Sequence, residues 1–393
     1  MKNRTIFVWS IILLAVNMRI PITAVSSLIP ALQKQLGLST SAAGMITTIP
    51  MLTFAVASPL FPRLARRFGI ERVILFFTAL LSLGMALRIL PNAAGLFIGT
   101  FLIGLGIDSA NVLLPASIKA HYTGVTTRGM SYYTTTMMVA GALATGVVGM
   151  FVESASLTAI QVGLFVVSLI SLIGWLPAAT VKLPDAEPEV TEQEVLAESK
   201  RSVWTTKTGW LITIFFSLQA IIFYSLLTWL SSAYISFGMT TGQASLLVTV
   251  FQLCGMPFSL IVPLIANTKW GVQISAAVMG GGLIVGLILT LIAGDNYAFS
   301  MIAAIIMGLG NGVSFNLAVV FFAQKSANHR ETAAVSGMAQ SAGYLIAAVG
   351  PVLFGVIGSH LDWHVALILA AAFAALMWLT GIVIHHQKGL FVH

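Results

Sequence analysis

The sequence predicts an all-α membrane protein of twelve transmembrane helices, built as two pseudo-symmetric six-helix bundles with both termini cytoplasmic. Three observations carry that reading. Hydrophobic residues make up 58% of the 393 positions and charged residues only 8%, whereas soluble domains hold about 25% charged residues. Apolar runs long enough to cross a bilayer recur along the whole chain. The cations gather in alternate gaps between those runs.

Crossing about 30 Å of hydrocarbon takes roughly 20 helical residues. Runs of that kind fall at 6–31, 41–62, 73–90, 94–118, 129–151 and 156–180. After a polar interval, six more fall at 209–236, 241–266, 272–293, 297–324, 333–358 and 363–386. A membrane β-barrel would instead show alternating segments of about ten residues. The first run follows "MKNR" and exceeds the ~7–15-residue core of a signal peptide, so it reads as an uncleaved span.

Charge orients the spans. With the N-terminus inside, 16 of the 19 cations fall on the cytoplasmic side, as the positive-inside rule requires. The stretch "SPLFPRLARRFGIER" alone puts Arg63, Arg66, Arg67 and Arg72 in the 2–3 loop. The outer side keeps Lys34, with Arg88 near the outer end of span three, and only Arg19 lies within a span. The net charge of +7 is thereby a matter of topology, and no nucleic-acid partner is expected. Cys254 is the only cysteine, which excludes a disulfide framework and a zinc motif. No metal or cofactor is expected.

Residues 181–208 hold half of the 12 acids and read as a cytoplasmic linker. They divide the chain into a bundle at 1–180 and a second at 209–393. The halves echo each other. Gly129–Met130 opens span five and Gly337–Met338 opens span eleven. Gly141, Gly146 and Gly149 follow in one, and Gly343, Gly350 and Gly355 in the other. "PLFPRLARRFG" in the 2–3 loop matches "PLIANTKWG" in the 8–9 loop. Repeated halves with a site at their interface are a transporter pattern.

Six plus six spans around a basic, glycine-containing 2–3 loop resemble the major facilitator superfamily. Its loop signature runs Gly, then Asp-Arg-x-Gly-Arg. Here "RRFGIER" keeps Arg67 and Gly69, followed by Arg72, but Arg66 stands where the aspartate is expected. That departure weakens the usual loop-to-helix charge clasp. A finer resemblance is to the cyanate/2-nitroimidazole transporter branch, through "MRI" at 18–20, "ARRFGIER" at 65–72, "NVLLPASIK" at 111–119, "FYSLLTWL" at 223–230 and "SGMAQSAGYLIAAVGP" at 336–351. The resemblance implies a multi-pass protein of the bacterial inner membrane that moves cyanate-like anions or nitroimidazoles, without enzymatic activity. Asp108 is not part of the branch pattern.

Polarity within the spans marks the candidate site. An arginine at mid-membrane costs about 2.5–3.5 kcal/mol. Arg19 lies about 20 Å from the cytoplasmic start of span one, too deep to snorkel. Its planar fork suits a carboxylate or similar anion. Asp108, about 16 Å deep in span four, sits at a compatible depth. It reads as Arg19's counter-ion and gate, or as a proton carrier. Other substrate-facing candidates are Asn111, Tyr133, Gln219, Tyr224, Asn311, Gln340 and Tyr344. The expectation is a monomeric secondary transporter for a small anion or small polar aromatic, working by alternating access, with protons as candidate partners.

Two other classes remain. The drug/proton antiporters of the superfamily the chain resembles carry a Gly-Pro motif in span five; here span five, "GALATGVVG", has no proline and Gly350–Pro351 lies in span eleven instead, which counts against a broad drug efflux pump. A membrane enzyme would need paired acids and a histidine at one interface, and no such spacing occurs.

Overall fold

A computed structural model describes residues 2–121, 126–180, 202–327 and 329–390. Residues 181–201 of the expected linker lie outside the described residues. Those described are helical and contain no strand. Eleven segments are long and apolar enough to cross a bilayer. The remaining one, eighth in order, is shortened because Gly255 and Pro257 interrupt it.

The first six spans begin with α1 (Lys2–Asn17) and α2 (Ile20–Leu36), which together form span one. Span two is α3 (Thr40–Ala57), a 3₁₀ turn at Ser58–Leu60 and α4 (Phe61–Phe68). Spans three to six are α5 (Ile70–Arg88), α6 (Ala93–His121), α7 (Thr126–Phe151) and α8 (Leu157–Thr180). Span seven is one unbroken helix, α9 (Lys207–Ser236). Span eight is split into α10 (Thr241–Cys254) and α11 (Phe258–Ile265). Spans nine and ten are α12 (Gly271–Ala293) and α13 (Tyr297–Gln324). Span eleven bends between α14 (His329–Ala347) and α15 (Val349–His360), and α16 (Trp363–His386) closes the chain.

Helix ends follow from local chemistry. Ser39, Thr206, Thr240, Asn296 and Asp362 cap the helices they precede by accepting a backbone N–H. Gln243 completes a capping box with Thr240. In the 2–3 loop, Gly69 joins α4 to α5 at φ 88, ψ 143, a left-handed region that glycine enters freely. Arg63, Arg66, Arg67 and Arg72 are exposed around it, as a topology anchor requires. Glu71, in the first turn of α5, links to span four by accepting from Ser117 Oγ at 2.9 Å. Large apolar side chains such as Leu264, Ile292 and Ile173 point out of the bundle, the surface acyl chains would cover.

The two sets of six spans meet along a seam of small residues and hydroxyls. At Gly44, a Cβ would fall 2.8 Å from the Pro351 carbonyl oxygen. Thr48 Oγ1 donates to Ala348 O at 2.6 Å, and Thr228 Oγ1 to Thr47 Oγ1 at 2.9 Å. On the other flank, Gly146 and Gly149 of α7 lie against Thr249 and Ser245 of α10. Ser245 Oγ donates to Ser27 Oγ at 3.0 Å, and Thr249 Oγ1 to Ala142 O at 3.1 Å. These contacts run from the end of the bundle opposite the two termini down to mid-depth. The spaced glycines of spans five and eleven have separate duties. Gly146 and Gly149 serve the seam, while Gly343 and Gly350 seat α14 and α15 against Phe216 and Ser225 of α9.

The seam makes a stability prediction. Gly44→Val places a branched side chain against backbone that cannot yield, so it should lower stability by about 1–3 kcal/mol. Gly163, exposed on span six with nothing within 4 Å of its would-be Cβ, is the control. Thermal unfolding in detergent should show a lower midpoint for Gly44→Val and little change for Gly163→Val. Equal midpoints would contradict the seam.

Candidate functional site

Span one breaks at Met18 and Arg19. The cause is Pro21, which has no N–H and whose ring displaces the carbonyl four residues earlier, that of Asn17. α1 therefore ends at Asn17, and Met18 N–H closes it by donating to Ala15 O at 3.2 Å. α2 then starts afresh with Pro21 in its first turn, where proline fits. Arg19 is its N-cap, and the Arg19 carbonyl accepts from the N–H groups of Ile22 and Thr23 at 3.1 and 3.0 Å. Asn17 is buried, and neither of its amide atoms is hydrogen-bonded.

The Arg19 side chain leaves this break toward the junction of the two halves. Gly141 of α7 makes room for it, since a Cβ there would lie 2.8 Å from Arg19 Cβ. The guanidinium carbon stands 5.6 Å from the centre of the Phe223 ring, a cation–π arrangement. Tyr224, Tyr344 and Tyr133 complete its electrostatic surroundings. Thus one arginine of the first half faces two tyrosines and a phenylalanine of the second. Among the described residues no carboxylate lies within ion-pair distance of it.

Rings from three spans pack together beside Arg19. Tyr344 sits 5.7 Å from Phe54, 5.2 Å from Phe216 and 6.2 Å from Tyr224, in edge-on arrangements that suit aromatic quadrupoles. Asn111 and Tyr133 are joined, the Tyr133 hydroxyl donating to Asn111 Oδ1 at 3.2 Å. Gln219 is buried one turn before Phe223 on α9. Asn311 is buried in α13 with its Oδ1 unpartnered. Gln340, one turn from Tyr344, is exposed and donates to Ser336 Oγ at 2.9 Å.

Asp108 stands apart from Arg19. Compatible depths suggest a pair, but the structure gives the aspartate a different neighbour. Asp108 is 2% exposed, and its Oδ1 lies 2.7 Å from Ser58 Oγ at the bend of span two. Its Oδ2 is buried and has no hydrogen-bond partner. Ser58 Oγ also lies 2.7 Å from Phe54 O. A serine hydroxyl has one proton and cannot serve both acceptors at once.

Sequence reasoning passed over several contributors. Phe223 was hidden among many apolar residues, and Gly141 among spaced glycines. Arg88 sits at the expected end of span three, yet it is buried and not at the surface. Its side chain turns inward to Thr100 and to the Pro21 carbonyl.

The comparisons with known proteins agree with this architecture. The family model described as the Major Facilitator Superfamily matches residues 11–351. The 2-nitroimidazole transporter of Escherichia coli K12 is 31% identical over 392 residues, covering 98% of this chain and 97% of that protein. The cyanate transport protein CynX of the same organism is 24% identical over 369 residues, covering 90% and 91%. Among solved structures, a D-xylose–proton symporter superposes with a TM-score of 0.77 at 14% identity, covering 96% of each chain. At that identity the superposition speaks for the fold alone. On the match across most of its length and on its likeness to these relatives, the chain belongs to the Major Facilitator Superfamily, in the branch of the cyanate and 2-nitroimidazole transporters, and is a membrane transporter, not an enzyme.

Proposed function

We propose that the protein moves a small anion, or a small polar aromatic such as a nitroimidazole, across the bacterial inner membrane by alternating access, with Arg19 as the anion contact. The observation that carries this reading is a guanidinium at a helix break between the two halves, facing aromatic rings and, among the described residues, no carboxylate. Broken membrane helices commonly aim a half-helix N-terminus at an anionic substrate. Here the start of α2 coincides with Arg19, so the positive end of the helix dipole and the guanidinium act on one place. A guanidinium fork also matches a planar anion by paired hydrogen bonds. Tyr133, Asn111, Tyr224, Tyr344, Gln219, Asn311 and Gln340 are proposed to line the same cleft. The names of the two relatives supply the candidate ligands, cyanate and 2-nitroimidazole.

The seam is suited to opening. Its bonds are mostly hydroxyl to carbonyl or hydroxyl, a class worth about 0.6 kcal/mol on average in membrane helices. A few such bonds can be exchanged for bonds on the opposite side as the halves rock. With both termini cytoplasmic, the arrangement here is closed outward. The close ring packing around Tyr344 favours a small ligand over the bulky compounds of a broad efflux pump. The protein is read as a monomer, since each chain holds both halves of the cleft.

Asp108 is proposed as the proton-coupling residue. A neutral carboxylic acid donating to Ser58 Oγ lets Ser58 donate onward to Phe54 O, and both short contacts are then satisfied. An ionised Asp108 leaves either the carboxylate or the carbonyl without its hydrogen. Protonation at Asp108 therefore changes how Ser58 holds the bend of span two, on which Phe54 and the 2–3 loop depend.

Two measurements follow. Thermal-shift and calorimetric titrations should show cyanate binding that weakens tenfold to about a hundredfold in Arg19→Ala, the range expected for lost charge-assisted hydrogen bonds, with 2-nitroimidazole, held neutral at mildly acidic pH, affected far less. Undiminished anion binding in that variant would overturn the anion contact. In proteoliposomes, Asp108→Asn should keep substrate exchange but lose acceleration by an imposed pH gradient. Gradient-driven transport that survives the substitution would remove Asp108 from proton coupling.

A further inference from the structure

Arg88 is a buried arginine, and no carboxylate within ion-pair distance accompanies it among the described residues. It ends α5 and is 5% exposed. Its Nε and Nη2 donate to Thr100 Oγ1 at 3.1 and 2.8 Å, and its Nη1 to the Pro21 carbonyl at 2.8 Å. Thr100 is itself fixed, its hydroxyl donating to Leu96 O at 2.6 Å. Gly99 clears the path of the side chain, because a Cβ there would stand 3.1 Å from Arg88 Cγ. Buried charge in a span is expensive and marks function by default. An apolar residue would pack spans three and four at less cost.

The carbonyl that Arg88 holds decides its role. Pro21 lies two residues after Arg19, in the first turn of α2. A break in a span frees the following helix to tilt and rotate about the two linking residues. Arg88 removes that freedom by tying the first turn of α2 to spans three and four. Its positive charge also enters the field at the break, on the same side as the helix N-terminus. We infer that Arg88 is a positioning residue for the anion site: its bond to the Pro21 carbonyl sets the direction in which Arg19 presents its guanidinium. This rests on the reading of Arg19 as the anion contact.

The test uses purified full-length protein, with cyanate and 2-nitroimidazole as probes, at a mildly acidic pH that keeps the 2-nitroimidazole ring N–H protonated and that ligand neutral. Arg88→Gln should weaken cyanate binding about tenfold while changing 2-nitroimidazole binding less than threefold. Arg88→Lys, which keeps one donor for Pro21 O, should restore part of the cyanate affinity. Thr100→Val removes the hydroxyl that accepts from the fork, together with its own bond to Leu96 O, and should weaken cyanate binding in the same direction, with Thr100→Ser close to wild type. These conservative variants carry the test if Arg88→Gln does not fold. A lower melting midpoint with both affinities unchanged would make Arg88 a structural tether and overturn the inference. Equal loss of both ligands would overturn it too. If Arg19→Ala itself leaves cyanate binding intact, the anion reading fails first; if Arg19→Ala loses binding and the Arg88 and Thr100 variants do not, only the positioning role fails.

Discussion

A proline inside a helix gives up one hydrogen bond and pushes away the carbonyl four residues before it. At Pro21 that constraint falls in the middle of the first span, and the chain accommodates it with two non-helical residues, Met18 and Arg19. In a bilayer such a break is tolerated only where protein or an aqueous cavity surrounds it. The surroundings follow from that need. Gly141 withdraws to let Arg19 pass, Phe223 and three tyrosines face the guanidinium, and Arg88 reaches from span three to the new helix start. Span seven, the counterpart of span one in the duplicated plan, has no such break and runs continuously from Lys207 to Ser236. The duplication therefore supplies the scaffold, while the break makes the two halves unequal at the site.

The remaining polar groups fall into two sets. Hydroxyls and glycines line the seam, so that the helices approach closely without a bond that would be hard to give up. None of the hydroxyl bonds named along the seam involves a charged side chain. Arg19, Arg88 and Asp108 are each partnered by neutral groups and not by one another. Arg88 and Asp108 are buried, and Arg19 is half-buried. Asp108 is set aside at the bend of span two, beside the loop that carries the arginine cluster.

Much of this was legible before any coordinates. Hydropathy and the placement of lysines and arginines delivered the spans, because the bilayer enforces both length and charge asymmetry. Arg19 stood out because charge within a span is costly. The break itself was not legible from hydropathy, since Met18, Ile20 and Pro21 keep the run apolar; the proline was its one signal. Of the two readings of Asp108, counter-ion to Arg19 or proton carrier, the pairing is not seen, because depth along a helix says nothing about the face a side chain takes. Arg88 was read as a residue near the outer end of its span for a similar reason: its position along the chain is right, and its burial depends on Gly99 and Thr100 from another span. Asn111 and Tyr133 are far apart in sequence and meet in space, a pairing no local pattern reveals. Gln340 shares a helix face with Tyr344 as the four-residue spacing implies, but it is exposed where Tyr344 is enclosed by rings.

The central claim is that Arg19 receives the anion at the helix break. Selenocyanate keeps the shape and charge of a cyanate-like ion and scatters X-rays anomalously, so a crystal of the full-length protein soaked in it would show where the ion rests. The account predicts an anomalous peak within hydrogen-bond reach of the Arg19 guanidinium, next to the first turn of α2 and between Tyr133 and Tyr224. A peak held elsewhere, with the space around Arg19 empty, would contradict it.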